Sequence, residues 1–146
     1  MPERAPALIL AFDFGLRRIG IASGSPITGI AAPRRTVTNG AAGPDWPAID
    51  RELREMGPGL LLVGAPYNDD GSPGTLAPAA TRFADELHAR YRLPVERIDE
   101  RYTSVEAAST LKAGRAAGTR GRRVVSGDID SAAAAVMLDS YLRNNP

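Results

Sequence analysis

The stretch that decides the fold is ALILAFDFGLRRIGIA, residues 7–22. Six apolar residues, Ala7 to Phe12, read as a strand buried on both faces, and Asp13 closes the run. An unpaired carboxylate at the end of such a strand is costly, so Asp13 must take up a proton or meet a cation or a donor. The chain nearby offers a salt bridge to Arg17 or Arg18, or a turn in which Asp13 accepts from the amide of Gly15.

Outward from this strand, Arg17 to Ser23 and Ile30 to Val37 read as second and third strands with Gly, Pro and Asn punctuation, an antiparallel meander. The pattern then changes. Asp45 caps a helix with Trp46, Ile49, Leu53 and Met56 on one face, ended by Gly57 and Pro58. Leu60 to Val63 is a buried strand, and Gly64 to Gly74 (GAPYNDDGSPG) a polar loop at its far end. A helix follows with Leu76, Ala80, Phe83, Leu87 and Tyr91 at helical spacing, then a strand from Pro94 to Asp99. Thr103 to Glu106 is a capping box opening a short helix that stops near Gly114. Asp130 to Leu142 is a last amphipathic helix, with Asp128 as its cap. This order predicts an α/β fold in one domain, residues 1–146: a mixed sheet whose first three strands are antiparallel, with helices on both faces.

Composition limits the chemistry. The chain has no cysteine and a single histidine, His88, which excludes thiolate or histidine-rich metal sites and leaves oxygen ligands suited to Mg2+ or Mn2+. No apolar run of membrane-spanning length and no leader stands out, so a cytoplasmic location is expected. Net charge is only +1, but the cations are placed unevenly: Lys112, Arg115, Arg120, Arg122 and Arg123 crowd one Gly-rich segment suited to a phosphate backbone.

Two further acids resemble Asp13 in position. Glu100 follows the strand containing Ile98 and shares its side, whereas Asp99 takes the other. Asp130 lies on the stripe of Ala134 and Met137, facing the sheet, while Asp139 belongs to the outward face. Acids on two strand ends and on the inner face of the last helix can converge into an oxygen cage for one or two divalent cations. Asp128 is a further candidate ligand. Such a cage serves hydrolysis of phosphodiesters, and arginines beyond it would hold the backbone.

Four motifs carry a resemblance: DFGLRRIGIA (residues 13–22), VGAPYNDDGS (residues 63–72), DERYTSVEA (residues 99–107) and DIDSAAAAVMLDSYL (residues 128–142). In this order they resemble the YqgF/RuvX family of bacterial RNase H-like nucleases, described as Holliday junction resolvases and as pre-16S ribosomal RNA nucleases. The resemblance implies an RNase H-like sheet of five strands, with Asp13, Glu100 and Asp130 as metal-binding catalytic acids. It also implies that Arg17 and Arg101 lie close to the substrate, which would free Arg18 too to face phosphate. Two departures stand out: Ser126 occupies the place of a usual lysine, for which Arg122 or Arg123 could substitute, and the loop opens Gly-Ala-Pro in place of Gly-Leu-Pro. The expected activity is metal-dependent cleavage of structured nucleic acid, either branched DNA or precursor ribosomal RNA. A junction cutter acting on a two-fold substrate would be expected to form a homodimer. Two rivals are a non-catalytic nucleic-acid binder and a phosphotransferase of the actin and sugar-kinase type, which shares an Asp and Gly after its first strand but needs two such domains.

Overall fold

The apolar run forms strand β1, Ile9–Phe14, with all six residues buried. The structure is a computed structural model and describes residues 8–65, 77–99 and 126–144. β1 pairs antiparallel with β2 (Arg18–Ser25), and β2 antiparallel with β3 (Ile30–Gly40). On its other side β1 pairs in parallel with β5 (Leu60–Ala65), which pairs in parallel with β6 (Val95–Asp99). The expected meander and parallel half therefore meet at β1.

Among the described residues the sheet has six strands where five were expected. Gly43–Pro44 forms a two-residue β4 whose pairs are Asn39 with Pro44 and Gly40 with Gly43, giving the order β4-β3-β2-β1-β5-β6. A strand this short has no alternation to read, and it depends on Gly43 taking a left-handed φ of 96°.

Helix α1 (Trp46–Met56) begins where Asp45 accepts from the Ala48 amide at 3.2 Å. It ends where Gly57, at φ 55°, donates to the Leu53 carbonyl. Helix α2 spans Ala77–Tyr91 and helix α3 Ser126–Asn144. α3 starts one turn before the expected Asp130, so Asp128 lies inside its first turn and is not the cap. Ser-Gly-Asp carries no apolar periodicity to mark that turn, although an acid is favoured there by the helix dipole.

Strand alternation gives the sheet two unlike faces. Leu10, Phe12 and Phe14 of β1 pack with Ile49 and Leu53 of α1 and with Phe83 and Leu87 of α2. Ile9 and Ala11 pack on the other face with Ala134, Met137, Leu138 and Leu142 of α3. Asp13 follows Ile9 and Ala11 in this alternation, so it belongs to the α3 face.

A bulge in β3 reinforces the first face. Ile21 pairs with Arg35 but Ala22 with Pro33, leaving Arg34 as the extra residue. Both arginines consequently reach one acid: Arg34 Nε and Arg35 Nε each lie 2.9 Å from Glu52 of α1, whose side chain is 2% exposed. Glu52 falls between Ile49 and Leu53 on the apolar stripe, and it is tolerated there because two guanidiniums neutralise it.

Candidate active site

One row of registered residues crosses the sheet: Gly20 of β2, Asp13 of β1, Gly64 of β5 and Ile98 of β6. Asp13 is thus flanked by two residues without side chains. Asp13 itself is only 9% exposed.

Gly20 also sets the position of α3. A methyl group at Gly20 would collide with the carbonyl of Asp130 and come within 2.8 Å of the Ser131 nitrogen. One at Gly24 would lie 2.8 Å from Leu138 Cδ2. Four residues of strand span about 13 Å, and the eight helical residues from Asp130 to Leu138 span about 12 Å. The helix therefore runs along β2 on a track of two glycines, with Asp130 set over the register partner of Asp13. This contact brings the first and third of the expected catalytic acids to the same end of the same face.

The Asp130 carboxylate accepts a hydrogen bond from Arg18 Nε at 2.7 Å, with the two side chains 44% and 28% exposed. Arg18 was expected to face phosphate, and here its Nε is engaged by Asp130. Alternation explains it, since Arg18 is two residues from Gly20 and shares the α3 face. Arg17, by contrast, is exposed at the tip of the β1–β2 turn.

That turn is fixed from a distant part of the sequence. Asn39 is buried; its Nδ2 donates to the Gly15 carbonyl at 2.6 Å and its backbone amide donates to the Arg17 carbonyl at 2.8 Å. A side chain at Gly15 would approach the Arg18 carbonyl to 2.7 Å, so only glycine closes the turn this tightly. Sequence reasoning took Asn39 for turn punctuation. Its signal was the Asn-Gly pair at residues 39–40, but its partner lies 24 residues away.

On the same face, Tyr141 of α3 donates to Glu96 of β6 at 2.6 Å. Burial, reinforced by the bond to Glu96, pushes the Tyr141 hydroxyl up to about 12. The bond ties the edge strand to the helix bearing Asp130. Ile98, two residues beyond Glu96, packs against the α3 cluster, so β6 points its even-numbered residues at α3 as expected. Glu100 itself lies outside the described residues, as do Arg101, Lys112, Arg115, Arg120, Arg122 and Arg123, most of the Gly64–Gly74 loop, and the short helix expected after Thr103.

Among the described residues, no three acid, histidine or cysteine side chains gather into a metal site. Two acids share this end of the α3 face, Asp13 and Asp130, and both offer hard oxygen donors of the kind Mg2+ and Mn2+ prefer. His88 stands apart on α2, its Nδ1 2.9 Å from the Leu93 carbonyl oxygen. Among the described residues no helix is long and apolar enough to cross a membrane.

Comparison with known proteins bears on the family and the fold. The family model described as "RuvX: Holliday junction resolvase" matches residues 7–144. A protein of Edwardsiella ictaluri named "Putative pre-16S rRNA nuclease" is 42% identical over 95% of this chain and 96% of its own length. A protein of the same name from Nitrosococcus oceani is 43% identical over 94% of this chain and 87% of its own. Two solved structures share the fold, each with a TM-score of 0.53. The yeast mitochondrial Holliday junction resolvase Ydc2 is 11% identical and covers 92% of this chain and 77% of its own. Thermus thermophilus RuvC bound to a Holliday junction substrate is 15% identical and covers 94% and 96%. The likeness extends to the mixed sheet with helices on both faces, the RNase H-like arrangement expected from the sequence.

Proposed function

The chain belongs to the RuvX family, and on that premise we propose that it is a cytoplasmic, divalent-metal-dependent endonuclease that trims precursor 16S ribosomal RNA. The carrying observation is the approach of Asp130 to Gly20, the register partner of Asp13, which gathers two acids at one end of the sheet. RNA is favoured over branched DNA because the relatives near 40% identity carry the RNA-processing name, whereas the junction-bound neighbour shares only 15% identity.

Asp13 and Asp130, joined by Glu100, would hold Mg2+ or Mn2+. When bound, the ion supplies activation of the attacking water and stabilisation of charge on the phosphoryl oxygens. Asp13 contributes a fixed donor, since it sits in the central strand of the sheet. Arg18 holds the Asp130 carboxylate in orientation through its Nε. Arg17, exposed at a turn locked by Asn39, would grip the phosphate backbone.

The test is cleavage of a structured precursor rRNA and of a four-way DNA junction with Mg2+, Mn2+ or chelator. Asp13→Asn should slow RNA cleavage on the order of 10²–10³-fold, the scale of losing one group that stabilises transition-state charge. Equal cutting by the variant would overturn the mechanism. Faster cutting of the junction, accompanied by dimerisation, would replace RNA with DNA as the substrate; binding without cutting would leave a nucleic-acid binder.

A further inference from the structure

We propose that the hollow beside Leu16 receives one unstacked nucleobase of a single-stranded segment of the substrate, adjoining the phosphate handled on the other side of the β1 end. The inference rests on the nucleolytic reading of Asp13 and Asp130 and adds a base-binding site to it. The cavity measures about 330 Å³, within the range of small-molecule sites. Phe14, Leu16, Trp46 and Phe83 line it with apolar surface, and Arg82 and Glu86 of α2 add polar groups.

Three observations point to a base. Phe83 packs 5.3 Å from Phe14 and 5.6 Å from Trp46 between ring centroids, and of these three rings Trp46 is the part-exposed one, Phe14 and Phe83 being buried. Trp46, held between Phe83 and Arg90, is then the ring that a base in the cavity would contact. Leu16 is 63% exposed although its turn is locked by Gly15 and Asn39, so a well-ordered apolar side chain is presented to solvent at the cavity mouth. Isolated exposed leucines are ordinary; this one stands between Asp13 and the exposed Arg17 in the chain, on the turn that joins the two faces. The polar lining suits a base edge, because Arg82 can donate and Glu86, already held by Arg90 at 2.9 Å, can accept.

Phe14 follows Asp13 directly but faces α1 and α2, so the base and the attacked phosphate lie on opposite faces of the sheet. The strand must then bend over the turn at residues 15–17, beneath Arg17. Single-stranded RNA bends this way readily, whereas a stacked duplex does not.

Trp46 is the only tryptophan in the chain, so its fluorescence reports on this wall. The assay titrates Asp13→Asn protein, with Leu16 intact or changed to Ala, using a short single-stranded RNA and a base-free ribose-phosphate oligomer of equal length. RNA should quench Trp46 and the base-free oligomer should not. Leu16→Ala should weaken RNA binding by about tenfold and leave the base-free oligomer unaffected. Trp46 also borders Arg90, 4.0 Å above its ring, so the Leu16 dependence is what assigns quenching to this cavity. RNA binding with unchanged fluorescence, or equal weakening of both probes by Leu16→Ala, would overturn the site. Cleavage by wild type without quenching would sink this site alone; quenching with the Leu16 dependence but no cleavage would sink the nucleolytic reading alone.

Discussion

The two faces of the sheet are built from different materials for different ends. Against α1 and α2 the sheet presents Leu10, Phe12, Phe14, Ile19, Ile21 and Leu61, bulky residues that fill a broad core. Against α3 it presents Ile9, Leu60 and Leu62 together with Ala11, Ala22, Gly20 and Gly24, and where these small residues lie the helix approaches closely. Large side chains bury more apolar surface and hold helices at a distance; small ones give up that surface and let a helix backbone touch a strand. The difference teaches that one face chiefly supplies stability, while the other fixes the position of Asp130 relative to Asp13.

That division can be broken experimentally. The largest stability loss should follow Ile49→Ala on the bulky face, about 2–5 kcal/mol by thermal or denaturant unfolding. Cleavage per folded molecule should stay near wild type at a permissive temperature, and a matching collapse of activity would refute the separation of roles. Gly20→Ala on the α3 face should also destabilise, by about 1–3 kcal/mol, because the added methyl meets the backbone of α3 and the helix must shift. Here cleavage should fall far more than unfolding accounts for; unchanged activity in a folded Gly20→Ala protein would show that the Asp130 position is not critical.

The smallest effect concerns the Tyr141–Glu96 bond. Since the folded-state value, about 12, lies above the ordinary 10, the neutral hydroxyl is favoured by folding. Its contribution to stability is complete below pH 10 and disappears as pH rises from 10 to 12. Unfolding curves across that window should show a loss that Tyr141→Phe removes. The same decline in the Phe variant would assign it to another group.

Much of the fold was legible because β1, the capped helix α1 and the spacing of α2 each announce themselves over a few consecutive residues. Asp45 and Gly57 mark both ends of α1, and the apolar run of β1 admits no other reading. What escaped was non-local or too short. The two-residue β4 has no period, Asn39 acts on a turn 24 residues away, and the first turn of α3 lacks apolar marks. Asp13 was visible as a charge at a strand end and Asp130 as one on the inner face of the last helix, but the guanidinium that holds Asp130 could not be assigned, since Arg18 lies 112 residues from it in the chain.

By itself the sequence determined the order of the three meander strands, α1, β5, α2, β6 and the last helix, and the absence of thiolate and imidazole clusters. These follow from local periodicity and composition, which a chain carries before it folds. Only the tertiary structure decided that Gly20 is the seat of Asp130 and that Arg18 serves that carboxylate. Those contacts exist only once α3 has closed on β2, because helix and strand come from opposite ends of the chain.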